Sequence, residues 1–184
     1  MSQDDGSAAT VLVVDDEQRA ADTYASVLSG AYETRTAYGG EEALELVESV
    51  EFDVLLLDRR MPAVSGDEVL EAVQQRSVDC RIAMVTAVNP DFDIVEMGID
   101  DYVVKPVGKE NLRETVERLL ALDEYDERQR ELSSLKVKRN VLEVEKSNAE
   151  LAESEEFTRL ERRILTLERE LEALADDLDV PERQ

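Results

Sequence analysis

Histidine is absent from this chain of 184 residues, and cysteine occurs once. Without an imidazole there is no histidine acid or base and no histidine metal ligand. A lone Cys80 excludes an intramolecular disulfide and a thiolate zinc cluster, and reads as a small apolar filler where a strand begins. No apolar run approaches the ~18 residues that a membrane-spanning helix needs. The opening residues, Met1 to Ser7, are polar and acidic with no signal-peptide character, so a cytoplasmic protein without membrane contact is expected. Positive charge is scarce: 21 Lys and Arg stand against 45 Asp and Glu, for a net charge of -24. That balance argues against nonspecific binding to nucleic acid or to anionic membranes. Acid surplus on a folded surface, with arginine well ahead of lysine, suits a halophilic source in which salt screens the self-repulsion.

The apolar residues that are present fall in short runs. Phe52-Asp53-Val54-Leu55-Leu56-Leu57-Asp58-Arg59-Arg60-Met61-Pro62 sets four of them ahead of one carboxylate. A run that is apolar on both faces suits a parallel strand covered by helices, and Pro62 soon ends regular structure. Similar runs recur. Val11 to Val14 ends in Asp15-Asp16, Ile82 to Val85 in Thr86-Ala87, and Tyr102 to Val104 in Lys105-Pro106. A short strand is expected over 32–37. Helical periodicity covers 17–29, 41–49, 67–75 and 108–122, with only a short helix over 91–97, between Asn89-Pro90 and Gly98. Five β–α units in succession describe an α/β domain with a doubly wound, five-stranded parallel sheet. Periodicity does not choose the strand order; the flavodoxin-like order 2-1-3-4-5 is one solution.

The strand ends would bring Asp15, Asp16, Asp58, Thr86 and Lys105 to one sheet edge, where ligands bind in such folds. Three crowded carboxylates raise one another's pKa unless a cation sits among them. Oxygen ligands with room for water suit Mg²⁺, and Lys105 neutralises the same site. The set suits phosphoryl transfer onto a carboxylate, with Asp58 as nucleophile. A buried Asp–Lys pair without chemistry is the plainer reading.

Residues 10–122 resemble a response-regulator receiver domain. The acidic pair Asp15-Asp16, the D-x-x-M-P of Asp58 to Pro62 with Gly66 downstream, the V-T-A of Val85 to Ala87 and the run Asp100 to Pro106 carry the resemblance, in that order and spacing. It implies that Asp58 takes a phosphoryl group from a partner histidine kinase. Asp16 and Asp58 would ligate Mg²⁺ together with the Arg60 backbone carbonyl, with Asp15 acting largely through water. Lys105 would bind the phosphoryl oxygens, Thr86 would swing toward them, and Tyr102 would rotate inward. Plain core packing is the other reading of Tyr102. The Arg60 side chain either meets the phosphoryl group at the site entrance or lies in solvent. The segment from Thr86 to Gly98 is about one turn shorter than the family leads one to expect, which unsettles the usual dimer face.

From Asp123 the composition changes. There is no further glycine, Pro181 is the one proline, and Glu, Arg and Leu dominate. Phe157, Leu160, Ile164, Leu167, Leu171, Leu174 and Leu178 alternate in steps of three and four. Ser147-Asn148 and Glu153-Ser154-Glu155 are candidate turn or cap sites, with Ser154 read as a helix start. Two helices over about 124–148 and 154–179, folded as an antiparallel hairpin, compete with one long coiled-coil helix that pairs with a second chain. Residues 123–184 resemble the HalX domain that follows receivers in haloarchaea, on the strength of Ser154-Glu155-Glu156-Phe157 leading into Leu160 to Arg163. Residues 1–9 read as a disordered start.

The reading that follows is a two-component response regulator, not an enzyme, that signals through protein contacts of its helical tail. An unidentified protein target or self-association would supply those contacts. The alternative is a DNA-binding transcriptional regulator. Arg128, Arg130, Lys136, Lys138 and Arg139 form a basic strip, but no helix-turn-helix, zinc module or stacking aromatic accompanies it, and a solvated helix face explains it as well. An aspartate-nucleophile phosphatase of the haloacid-dehalogenase type would need a D-x-D, and Arg60 stands in the place of its second Asp. A free-standing coiled-coil scaffold would leave the four strand ends unexplained.

Overall fold

The computed structural model describes residues 8–178. Of the expected disordered start, residues 1–7 lie outside that range. Ala9 does not fit that expectation, because its carbonyl accepts the Glu33 N–H at 3.0 Å. The chain separates into two compact units, residues 1–120 and 121–184.

In the first unit five parallel strands run in the order 2-1-3-4-5. They are β1 (Thr10–Val14), β2 (Glu33–Ala37), β3 (Val54–Leu57), β4 (Arg81–Thr86) and β5 (Asp101–Val104). All four residues of β3 are buried, as a central strand covered on both faces requires. Edge strand β2, ETRTA, alternates exposed and covered positions instead. Helices α1 (Gln18–Leu28), α2 (Gly40–Ser49) and α3 (Gly66–Gln75) fill the first three crossovers. Val47 of α2 and Val69, Leu70 and Val73 of α3 share a core with Leu12, Leu55, Leu57, Ile82 and Met84. The alternate strand positions, among them Val11, Val13, Leu56 and Val85, point to the opposite face and are equally buried. The fourth crossover has no α-helix. A 3-10 turn, Phe92–Glu96, stands there, and Gly98 follows at φ 68°.

Gly66 decides how closely α3 approaches the sheet. A Cβ there would lie 2.2 Å from the Asp58 carbonyl oxygen and 2.8 Å from the Arg59 Cα. The Gly66 N–H donates to the Arg59 carbonyl at 2.8 Å. Ser65 caps the helix, its hydroxyl accepting from the Glu68 N–H while the Glu68 carboxylate accepts from the Ser65 N–H.

The expected helix end at Leu122 and restart near 124 are corrected. One helix, α4, runs from Lys109 to Glu145. No glycine, proline or competing cap lies within it, and a change of composition does not by itself stop a helix. Helices α5 (Asn148–Glu153) and α6 (Glu155–Leu178) follow, started by Ser147 and Ser154. In the second unit α4 and α6 form an antiparallel hairpin. Leu132 packs with Ile164, Leu167 and Leu171, and Arg128 pairs with Glu170 while Glu131 pairs with Arg163. No helix among the described residues is long and apolar enough to cross a membrane.

Candidate functional site

The register builds the site. Val14 lies opposite Leu57, and Leu57 opposite Met84. The next residues, Asp15 and Asp58, therefore leave the sheet side by side at its carboxyl edge, where the Asp58 N–H donates to the Val14 carbonyl at 2.9 Å. Asp15, Asp16 and Asp58 each offer a carboxylate oxygen within 4.8 Å of the others. Asp15 and Asp58 are buried and Asp16 is exposed, so the cluster opens to solvent on one side.

Lys105, brought in by β5, spans the two buried carboxylates. Its Nζ donates to Asp15 Oδ2 at 2.5 Å and to Asp58 Oδ2 at 3.2 Å. Burial pushes the Asp15 carboxyl above its usual range, against the pull of Lys105 and of the Glu17 N–H that donates to it at 2.9 Å. Burial works the other way on Lys105, but Asp15 and Asp58 outweigh it and hold the ammonium pKa up. The side chain stays charged, one cation among three carboxylates. A further cation fits the remaining excess. The donors are all oxygen, few, and open to water on the Asp16 side, which is the coordination Mg²⁺ prefers.

Thr86 and Tyr102 stand behind this cluster. Thr86 is buried, and its hydroxyl accepts from the Val88 N–H at 3.3 Å. Tyr102 points inward, packed in the core, and its hydroxyl donates to the Val88 carbonyl at 2.8 Å. Both side chains therefore hold the backbone of one residue. The Arg60 side chain is exposed at the rim, and the Arg60 backbone N–H donates to Asp58 Oδ1 at 3.4 Å.

Arg59 is the residue that sequence reasoning missed. Only 16% of its side chain is exposed, and it pairs with Asp67 of α3 and with Asp93 of the 3-10 turn. Asp93 and Asp67 both accept hydrogen bonds from its guanidinium, and Asp93 chiefly raises its pKa further. Arg59 thus ties the residue next to Asp58 to the short fourth crossover. Asp93 lies far along the chain, so no local spacing announces that pairing.

A parallel 2-1-3-4-5 sheet carrying this carboxylate–lysine cluster defines a class. Residues 11–117, more than half of the chain, match the model of the response regulator receiver domain, and the chain belongs to that family. Residues 121–183 match the HalX domain. A candidate transcriptional regulator of Haloferax volcanii is 46% identical over 164 residues, 89% of this chain and 28% of that one. The alkaline phosphatase synthesis transcriptional regulatory protein PhoP of Bacillus subtilis is 35% identical over 118 residues, 62% of this chain and 49% of its own. This chain thus spans half or less of these curated relatives. Among solved structures, a CheY-like receiver domain protein from Methanospirillum hungatei is 29% identical with a TM-score of 0.61, covering 65% of this chain and 99% of its own. TrrA of Thermotoga maritima, solved in complex with Mg²⁺ and BeF, is 35% identical with a TM-score of 0.56, covering 60% and 98%.

Proposed function

We propose that the chain is a two-component response regulator of the cytoplasm. In this reading the receiver, residues 10–122, accepts a phosphoryl group on Asp58 from a histidine kinase, and residues 123–184 pass its state on by protein contacts. The observation that carries the reading is Lys105 Nζ bridging Asp15 and Asp58 beside a third carboxylate.

An Asp58 carboxylate oxygen attacks phosphorus on the donor's imidazole. The new P–O bond forms as the P–N bond breaks, and the electron pair returns to the leaving nitrogen. Lys105 turns from Asp58 to the equatorial phosphoryl oxygens, where charge accumulates. Mg²⁺, which Asp16, Asp58 and the Arg60 carbonyl would hold with Asp15 acting largely through water, would supply the remaining neutralisation when bound. Thr86 donates its hydroxyl to the phosphoryl group, which costs the Val88 N–H its acceptor. Tyr102 holds the other side of Val88, so a shift at Thr86 reaches the aromatic ring through that one residue. Water later splits the acyl phosphate and restores Asp58. The chain turns over no other substrate.

Acetyl phosphate with Mg²⁺ tests this reading. The folded protein is expected to take up one phosphoryl group, and Asp58→Asn or removal of Mg²⁺ to abolish the uptake. A folded wild-type protein that stays unlabelled overturns it. A second reading, transcriptional control through DNA, draws support from the Haloferax volcanii relative, which matches across the tail as well. Against direct DNA contact, Arg128, Lys136 and Arg139 of the basic strip are paired with carboxylates of their own hairpin. Titration with labelled duplex DNA at working salt separates the two.

A further inference from the structure

The outward face of α4 in the second unit is unlike the rest of that helix. Val137, Val141 and Val144 are 62%, 56% and 82% exposed. At about 100° per residue they fall within roughly 60° of one another. Leu132, Leu135, Arg139 and Leu142 lie on the opposite side, which faces α6 and is buried or half-buried. Most other exposed positions of this helix carry Glu, Arg, Lys, Gln or Asp. Three β-branched residues in water lower helix propensity and hydrate apolar surface for no return within the chain. Their steps of four and three are those of a coiled-coil seam.

The charges beside the stripe say what covers it. Lys138 follows Val137 and Glu145 follows Val144. Among the described residues neither holds an ion pair within the chain, whereas Lys136, Arg139 and Lys146 each do. Suppose two copies of α4 are laid antiparallel with Val141 of one against Val141 of the other, so that Val137 of each lies beside Val144 of its mate. Lys138 of each copy then flanks Glu145 of its mate, twice, by symmetry. Parallel packing gives Lys138 no such partner. The stripe is self-complementary only when one copy is reversed.

We propose that this face binds a second copy of the same chain, helix α4 against helix α4, antiparallel, with Val137, Val141 and Val144 as the seam and Lys138–Glu145 as the flanking pairs. The pairing does not depend on whether Asp58 is phosphorylated. With three valines from each helix the seam is short of the ~800 Å² per partner typical of stable complexes, so association is concentration-dependent, with a dissociation constant in the micromolar range or weaker. Salt is needed to screen the mutual repulsion of two chains of net charge -24.

Sedimentation velocity of the full chain across a concentration series in high salt tests the proposal. Wild type is expected to pass from monomer to dimer. Val141→Glu should weaken the dimer at least about 50-fold, since the residue meets the seam in both copies. Circular dichroism shows whether each variant keeps its helices. Lys138→Glu should weaken the dimer about 5-fold, and adding Glu145→Lys should restore it, because the pair is then reversed but still matched. A monomer at every concentration overturns the proposal. So does a dimer indifferent to Val141→Glu, which would move the contact to another face such as the exposed Phe92 and Val95 of the 3-10 turn. A charge swap that fails to restore a dimer lost in Lys138→Glu overturns the antiparallel register.

Discussion

Replacing Gly66 by alanine asks whether the close seat of α3 under the acceptor loop matters. The added Cβ would sit 2.2 Å from the Asp58 carbonyl oxygen, 2.8 Å from the Arg59 Cα and 3.0 Å from the Asp58 carbonyl carbon. All three atoms are backbone, so no side chain can swing aside. Relief requires α3 and the loop to separate by about 1 Å, which also stretches the 2.8 Å bond from the Gly66 N–H to the Arg59 carbonyl. Overpacking of this kind costs about 1–3 kcal/mol, and a weakened hydrogen bond adds about 0.5–1 kcal/mol. Urea unfolding at fixed high salt keeps screening constant and reads the loss as a lower midpoint. The same displacement lies next to Asp58, so phosphorylation by acetyl phosphate should slow by about 100-fold at temperatures where the variant is folded. Gly108→Ala is the control: a Cβ there meets nothing within 4 Å, and its effect should stay within about 0.5 kcal/mol. A Gly66→Ala protein as stable as wild type and labelled as fast would refute the packing argument.

Arg59→Ala should release the 3-10 turn from its anchor on Asp93. Amide exchange over residues 91–97 is then expected to speed up about 3- to 10-fold, as for the loss of a hydrogen bond worth about 1 kcal/mol. Arg60→Ala should shorten the acyl-phosphate lifetime about 2- to 5-fold, the range for one exposed ion pair; equal lifetimes would place Arg60 in solvent. Acid should weaken the hairpin. Hydrogen bonding from Arg163 holds Glu131 below its ordinary carboxylate value, so the pair's contribution is full above the unfolded pKa of ~4.3 and lost as pH falls through the folded one. Wild type should therefore exceed Arg163→Gln by about 0.5 kcal/mol at pH 7, and the gap should close in strong acid; a gap independent of pH would contradict the pairing.

Strands β1, β3, β4 and β5 were legible as short apolar runs, unbroken where both faces are buried as in β3, and the polar residue that ends each run marks the carboxyl edge of the sheet. Asp15, Asp58 and Lys105 could be placed together from that alone. Ser154 showed itself as a cap because a hydroxyl residue stands just ahead of an apolar-periodic run, whereas Ser147 read only as a turn or cap site and the short helix it starts, α5, was not expected. The length of α4 did not show itself, because the change at Asp123 is one of composition, and both sides of it favour helix. Arg59 could not be found either. Its bond to Asp93 joins residues 34 apart, and only the folded sheet brings them into range. The role of Gly66 was hidden for the same reason: its need for space comes from the backbone of β3's exit, not from its own turn.

The acceptor role of Asp58 is tested most directly by reductive trapping. The folded protein is incubated with acetyl phosphate and Mg²⁺, treated with borohydride, which reduces an aspartyl phosphate to homoserine, and mapped by peptide sequencing. Homoserine is expected at position 58 and nowhere else. Homoserine at Asp15 or Asp16, or none in a protein shown to be folded, would contradict it.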